Sequence, residues 1–409
     1  MKKALHIAAS PNTEKDDVKI ALKKWLTPWS WSKSRGDQDL KIKTADYFNC
    51  NNVCLYDSGR SAIMEVLKAF EIGPGDEVLV HAFTCLVVVN PILWVGAKPV
   101  YVDVNKKNFN FDIDDLKRKI TSKTRAVIIQ HSFGIPEDVE SIRRIVGDRV
   151  IIIEDLAHAL GSRVDGRKLG TFGDATILTF GIEKVITSIR GGAAIVFNKE
   201  AASRMEGNYN SLPNFPRAFV GVSLFNPIFW YLTLPVYYFG IGKLTLGRIK
   251  VFFGHKLGLL GRMIEKGEYY GSKPNWMPAK ISPVLAEIGV NQWGKLKEFN
   301  DHRESITKIY ESILNIKYEG ATSMLRFPIL TECRKDLLKS AKDKGYVFGD
   351  WYKKILYAPI DALPGLGYET GSCRVAEEIK DKIINLPTFI KISEYDANKI
   401  AKLVKLFLD

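Results

Sequence analysis

The sequence predicts an α/β fold, a mostly parallel central sheet sandwiched by helices, with a smaller α+β domain at the C-terminal end. Three observations carry this. Short runs rich in Val and Ile alternate with stretches of helical periodicity from about Cys54 to Asn198. The runs are apolar nearly throughout, as strands covered on both faces are. After Asn198 the alternation stops, and from about Tyr269 helical patterns dominate around a single run, RFPIL.

The predicted strands are EVLVHAF (77–83), KPVYVDV (98–104), RAVIIQH (125–131), RVIIIED (149–155), DATILTF (174–180) and AAIVFN (193–198). Between them SAIMEVLKAFEIG has apolar residues at helical spacing and closes on Gly73. DIDDLKRKI and PEDVESIRRIV place acids early and bases late, as the helix dipole favours. The C-terminal region reads as the helical stretch PVLAEIGVNQWGKLKEFNDHRESITKIYESIL, then RFPIL, a helix KDLLKSAKDKG and a closing amphipathic helix EYDANKIAKLVKLFLD. Four segments follow: an N-terminal arm (1–49), a large α/β domain (50–212), an apolar and basic insertion (213–268) and the small domain (269–409).

The composition of 409 residues, 46% hydrophobic and 26% charged, excludes disordered, collagen-like and mini-protein classes. A net charge of +13 favours an anionic partner. The five cysteines are odd in number and scattered, without C-x-x-C spacing, so neither a disulfide framework nor a metal site is expected, and a reducing cytoplasm fits. No secretion signal is expected, because charge resumes at Glu14.

Ala218–Gly242 runs 25 residues without a charge. Asn226, Pro227 and Pro235 interrupt it, which disfavours a clean bilayer span. Three readings stand: a core or dimer-interface element, a membrane-surface element, or a transmembrane helix. Trp230, Tyr231, Tyr237 and Tyr238 suit a headgroup region, and Lys243, Arg248, Lys250, Lys256, Arg262 and Lys266 face a single acid, Glu265. The stretch LKKWLTPWSWSKSR (22–35) has the same character. Peripheral contact with anionic lipid therefore explains the charge better than nucleic acid, for which no binding motif is present.

In an open parallel sheet, ligands gather at the carboxyl ends of the strands, so the polar residues there are the candidates for chemistry. IIIEDLAHALGS delivers Glu154 and Asp155 to a strand end, with His158 three residues on. TFGIEKVITSIRGG places Thr179 at another strand end and Lys184 in the turn after it. A strand-end lysine 29 residues after a strand-end aspartate is the pair that a pyridoxal phosphate site needs: an amine to bond the cofactor and a carboxylate to keep its ring nitrogen protonated.

The chain resembles the DegT/DnrJ/EryC1/StrS family of fold-type I pyridoxal-phosphate enzymes, the sugar aminotransferases. The likeness is carried by SGRSAI (58–63), GPGDEVLVHAFT (73–84), IEDLAHALGS (153–162), GTFGDATILTFGIEK (170–184), GGAAIVFN (191–198) and ISPVLAEIGVNQW (281–293). The resemblance implies Lys184 as Schiff-base lysine and general base, Asp155 as partner of the pyridine nitrogen, and Thr179 as a phosphate ligand. Gly59 and Arg60 would offer backbone N–H groups to the phosphate, and His158 would lie near the ring oxygen or the reacting carbon. Departures from the pattern fall at Arg60, at Cys85, and at Pro278 and Lys280, which align with an asparagine and an arginine that the family takes from the partner subunit. Arg60 replaces the usual Thr, so its guanidinium is a candidate phosphate partner. Cys85 stands where the family commonly stacks an aromatic ring on the cofactor, so stacking is either absent or supplied by Phe83. The implied activity is transfer of an amino group, from an amino acid such as glutamate, to a keto sugar linked to a nucleotide, by a cytoplasmic homodimer. Two alternatives are a lipid-linked or membrane-resident ketone as substrate, at the inner membrane face, and a catalytically retired scaffold.

Overall fold

The computed structural model describes residues 5–241 and 244–408; Lys243 of the basic tract lies outside them. Two helices, α1 (Lys15–Leu26) and α2 (Gly36–Phe48), precede the central sheet. Its seven strands are β1 (Val53–Tyr56), β2 (Glu77–His81), β3 (Lys98–Val102), β4 (Thr124–Gln130), β5 (Ile151–Asp155), β6 (Ala175–Thr179) and β7 (Gly192–Val196). Their spatial order is β1-β7-β6-β5-β4-β2-β3, with β2 to β6 parallel and β7 antiparallel to both β1 and β6. Each predicted strand forms within a few residues of its expected limits. The additional one, β1, is only four residues long and gives little periodic signal.

Helices α3 (Gly59–Ala69), α4 (Leu86–Trp94), α5 (Ile113–Lys119), α6 (Val139–Val146) and α7 (Lys199–Ser211) flank the sheet. The side chains of Asp112 and Asp138 cap α5 and α6 by accepting first-turn N–H groups, which explains why those helices begin where they do. The register matters for chemistry. Asp155 lies beside Gln130, and Gly192 sits between Tyr56 and Thr179. The carboxyl ends of β1, β5 and β6 thus open on one side of the sheet.

The apolar segment forms α8 (Arg217–Thr233), and the basic tract forms α9 (Leu246–Lys256). By length and composition Arg217–Val236 is the one stretch among the described residues that could cross a membrane. In the fold it is a packing layer: Val220, Leu224 and Ile228 are buried with Val18 and Ala21 of α1 and with Ile288 of α10 (Pro283–Gly294). Its outer positions, Tyr231 and Leu232, are exposed.

The C-terminal region comprises α11 (Leu296–Leu314), β8 (Arg326–Leu330), α12 (Arg334–Asp343), α13 (Arg374–Lys382), β9 (Ile383–Pro387) and α14 (Glu394–Lys405), with β8 and β9 antiparallel. The N-terminal arm is tied to this region: Leu5–His6 pairs in parallel with Tyr346–Val347.

Candidate active site

Lys184, Asp155, His158, Thr179, Gly59, Arg60 and Cys85, drawn from four separate stretches of sequence, line one cavity of about 410 Å³ at the carboxyl ends of β1, β5 and β6. Phe83 does not line it. That side chain turns inward and packs on Phe109, Phe133 and Tyr352, so the expected stacking role is corrected: Phe83 is a core residue. The aromatic ring that the lysine meets is Trp351, whose centroid lies 4.8 Å from Lys184 Nζ. Trp351 comes from the C-terminal region, after Tyr346–Val347, and nothing in its local sequence marks it.

One corner of the cavity is built for an anion. Ser58 caps α3, and the first-turn N–H groups of Gly59 and Arg60 have no intrahelical acceptor, so the positive end of the helix dipole faces the cavity. The backbone packing here depends on missing side chains. A Cβ on Gly59 would overlap Thr179 Oγ1, and one on Gly192 would lie 2.5 Å from Gly59 N. Those two glycines let the helix start, the strand β7 and the Thr179 hydroxyl close into a cradle.

The Arg60 guanidinium is not aimed at that cradle. It is buried against the Glu268 carboxylate and donates to Met263 O at 2.9 Å, so its expected pairing with a phosphate is corrected to a structural ion pair. A second guanidinium, Arg190, lines the same cavity. Arg190 donates to the carbonyl of Arg262, and burial pushes it down to about 10. Its place beside the conspicuous Gly191-Gly192 pair was the available signal.

At the other end, Asp155 is buried and accepts a hydrogen bond from Ala157 N at 3.0 Å; burial raises its carboxyl above the usual range, and the Lys184 charge opposes that rise. Lys184 is lowered by burial, with Asp155 opposing. His158 Nδ1 accepts from Phe133 N at 3.1 Å, which assigns the remaining proton to Nε2. Its imidazole stacks on Trp351 at 5.0 Å and 12°, and burial holds it well below the ordinary histidine range, hence neutral. Cys85 sits at the start of α4, where burial raises its thiol above the ordinary cysteine value.

The arrangement fits pyridoxal phosphate: a cradle for a dianion, a buried carboxylate to hold a cationic ring nitrogen, and a depressed-pKa amine in the same cavity. A parallel α/β sheet carrying such a cavity at its strand ends defines a protein of the cofactor-dependent transferase type. The chain belongs to the DegT/DnrJ/EryC1/StrS aminotransferase family, whose sequence profile matches residues 13–213 and 256–405. The unmatched stretch, 214–255, contains α8 and most of α9. The chain is 35% identical over 168 residues to a GDP-perosamine synthase of Vibrio cholerae, covering 40% of this chain and 46% of that one. It is 36% identical over 155 residues to a UDP-N-acetyl-3-dehydro-alpha-D-glucosamine 3-aminotransferase of Acidithiobacillus ferrooxidans, covering 37% and 42%. The matches thus span slightly under half the length of those relatives. The structure of NtdA from Bacillus subtilis with bound PMP superposes with a TM-score of 0.74 at 19% identity, covering 99% of this chain and 85% of that one. That likeness shows the fold.

Proposed function

We propose that this protein is a pyridoxal-phosphate-dependent aminotransferase that moves an amino group from an amino acid, glutamate in the first instance, to a keto sugar linked to a nucleotide. The observation that carries this is the placement of Lys184 and Asp155 in one cavity with the anion cradle at Gly59, Arg60 and Thr179. The matched relatives act on sugars named as GDP- and UDP-linked, which supports a nucleotide-linked acceptor. We further propose the four-segment organisation given above, a homodimer, a cytoplasmic location and peripheral contact with anionic lipid.

Pyridoxal phosphate, when bound, supplies an electron sink for the pair left when a carbon next to nitrogen loses its proton. The residues do the rest. The cradle holds the phosphate through the N–H groups of Gly59 and Arg60 and the Thr179 hydroxyl. Asp155 keeps the ring nitrogen protonated, since a buried carboxylate beside that cation gains far more than in water. Lys184 would hold the cofactor and, as a free amine, would serve as the general base that moves the donor Cα proton; burial lowers its pKa, which favours the free base. His158, which lines the same cavity with its remaining proton on Nε2, would be a neutral donor toward a bound cofactor or substrate, adding no charge.

The test is product formation. Protein loaded with cofactor is incubated with glutamate and a panel of nucleotide-linked 3- and 4-keto sugars, and products are read by mass spectrometry. The reading predicts one panel member whose ketone oxygen is replaced by an amino group, together with 2-oxoglutarate. Cofactor binding with no such product across the panel would refute the nucleotide-sugar assignment, and failure to bind cofactor at all would favour the scaffold reading.

A further inference from the structure

Helix α9 is inside out for a soluble surface helix. Its inward positions are glycines: Gly247 is buried against Tyr237, where a Cβ would lie 2.5 Å from the Tyr237 Cα, and Gly254 packs beneath Leu260 and Phe229. Its bulky apolar residues point the other way. Leu246, Ile249 and Phe253 recur at the spacing of one helical stripe, Phe252 flanks them at 61% exposure, and Leu257 continues the ridge at 67%. A helix that buried its apolar stripe in this protein would have the opposite pattern, so the stripe faces something outside the chain.

Charge indicates what that is. Between Leu246 and Lys266 there are five cations, Arg248, Lys250, Lys256, Arg262 and Lys266, against one acid, Glu265. The Glu265 carboxylate is itself occupied by capping the short helical turn at Lys266–Tyr270. Two copies meeting through residues 246–262 would bring the cations Arg248, Lys250, Lys256 and Arg262 of each together, which opposes self-association. Protruding apolar side chains set among cations match the boundary between anionic headgroups and acyl chains, where apolar residues insert by roughly 5–10 Å while lysines and arginines stay at the headgroups. A second exposed set, Trp25 and Leu26 at the end of α1 and Trp29 in the turn after it, lies beside α8, on which α1 packs through Trp25 and Phe225.

We propose that the outer face of α9 and the turn after it, residues 246–262, form a docking surface for an anionic lipid bilayer. Ten of its seventeen residues, 246–255, lie in the stretch outside the family match. It also adjoins the cavity: His255, Leu260 and Met263 line the cavity wall, so a seated bilayer lies beside the site. The proposal stands on surface geometry and does not depend on the chemistry assigned to the cavity.

The test is co-sedimentation of the full-length, cofactor-loaded protein with vesicles of phosphatidylcholine alone and of equal parts phosphatidylcholine and phosphatidylglycerol. Binding at least tenfold stronger to the anionic vesicles, weakened by added salt, is expected. Lys250→Glu with Lys256→Glu removes two cations, each giving about fivefold in affinity, so a loss of at least about 25-fold follows. Phe252→Ser with Phe253→Ser abolishes sedimentation while leaving the oligomeric state unchanged; Leu257→Ser, in the turn beyond the helix, serves if that pair fails to fold. Absence of binding to either vesicle overturns the proposal, as does equal binding to both. A wild-type oligomer that the phenylalanine pair dissociates also overturns it, in favour of a protein interface.

Discussion

Replacing Gly192 with alanine tests the cradle at its tightest point. The added Cβ would lie 2.5 Å from Gly59 N and from Ser58 C, so the start of α3 must move by more than half an ångström relative to β7. The fold accommodates an extra methyl of this kind at about 1–3 kcal/mol. The phosphate is less tolerant, because a charge-assisted hydrogen bond contributes roughly 1.5–3 kcal/mol and falls off steeply with misalignment. Loss of one such bond raises the dissociation constant for pyridoxal phosphate by about tenfold to 150-fold. The assay titrates Gly192→Ala and wild-type protein with pyridoxal phosphate and, separately, with pyridoxal, which lacks the phosphate. Both are followed by the visible absorption that develops when Lys184 bonds the aldehyde carbon. The reasoning predicts weakened binding of the phosphorylated compound and nearly unchanged binding of pyridoxal. Equal losses for both, or no loss for either, would refute the assignment of this corner to the phosphate.

Two further outcomes follow from the same geometry. Burial depresses Lys184, so its ammonium costs stability in the folded protein; Lys184→Met should therefore resist urea better than wild-type apoprotein at neutral pH. The unfolded chain binds more protons than the folded one between the lowered pKa and the ordinary lysine value near 10.5, so wild-type stability rises with pH in that window and the gap should close there; a gap constant across pH would contradict the shift. Glu268→Ala leaves the Arg60 guanidinium buried without its partner and should cost about 3–5 kcal/mol in chemical denaturation, whereas Arg60→Met with Glu268→Met should cost less than the single change; a near-neutral Glu268→Ala would show that the pair is not closed in solution.

The parts of this architecture that repeat locally were readable in advance. Strands β2 to β6 announce themselves as Val and Ile runs, and because such strands deliver their last residues to one edge, Asp155 and the Thr179–Lys184 turn could be picked out without coordinates. What could not be read depends on partners far along the chain. Arg60 looked like an anion ligand because its true partner, Glu268, is 208 residues away. Phe83 was assigned to stacking from its neighbourhood, yet its rotation into the Phe109 and Phe133 cluster is set by packing across α/β layers. Trp351 reaches Lys184 only because the C-terminal region folds back over the sheet. Within the insertion 213–268 only the coordinates distinguish α8, half embedded against α1 and α10, from α9, turned outward on its glycines.

The central claim is that Lys184 carries the cofactor and exchanges it for an amine. The most direct measurement is the absorbance of purified protein with pyridoxal phosphate before and after glutamate, with borohydride-reduced samples mapped by peptide mass spectrometry and Lys184→Ala in parallel. The account predicts a visible band whose reduced adduct maps to Lys184. Glutamate should abolish that band as the cofactor leaves with the amino group, and Lys184→Ala should show neither behaviour. A band that survives in Lys184→Ala, or an adduct on another lysine, would contradict it.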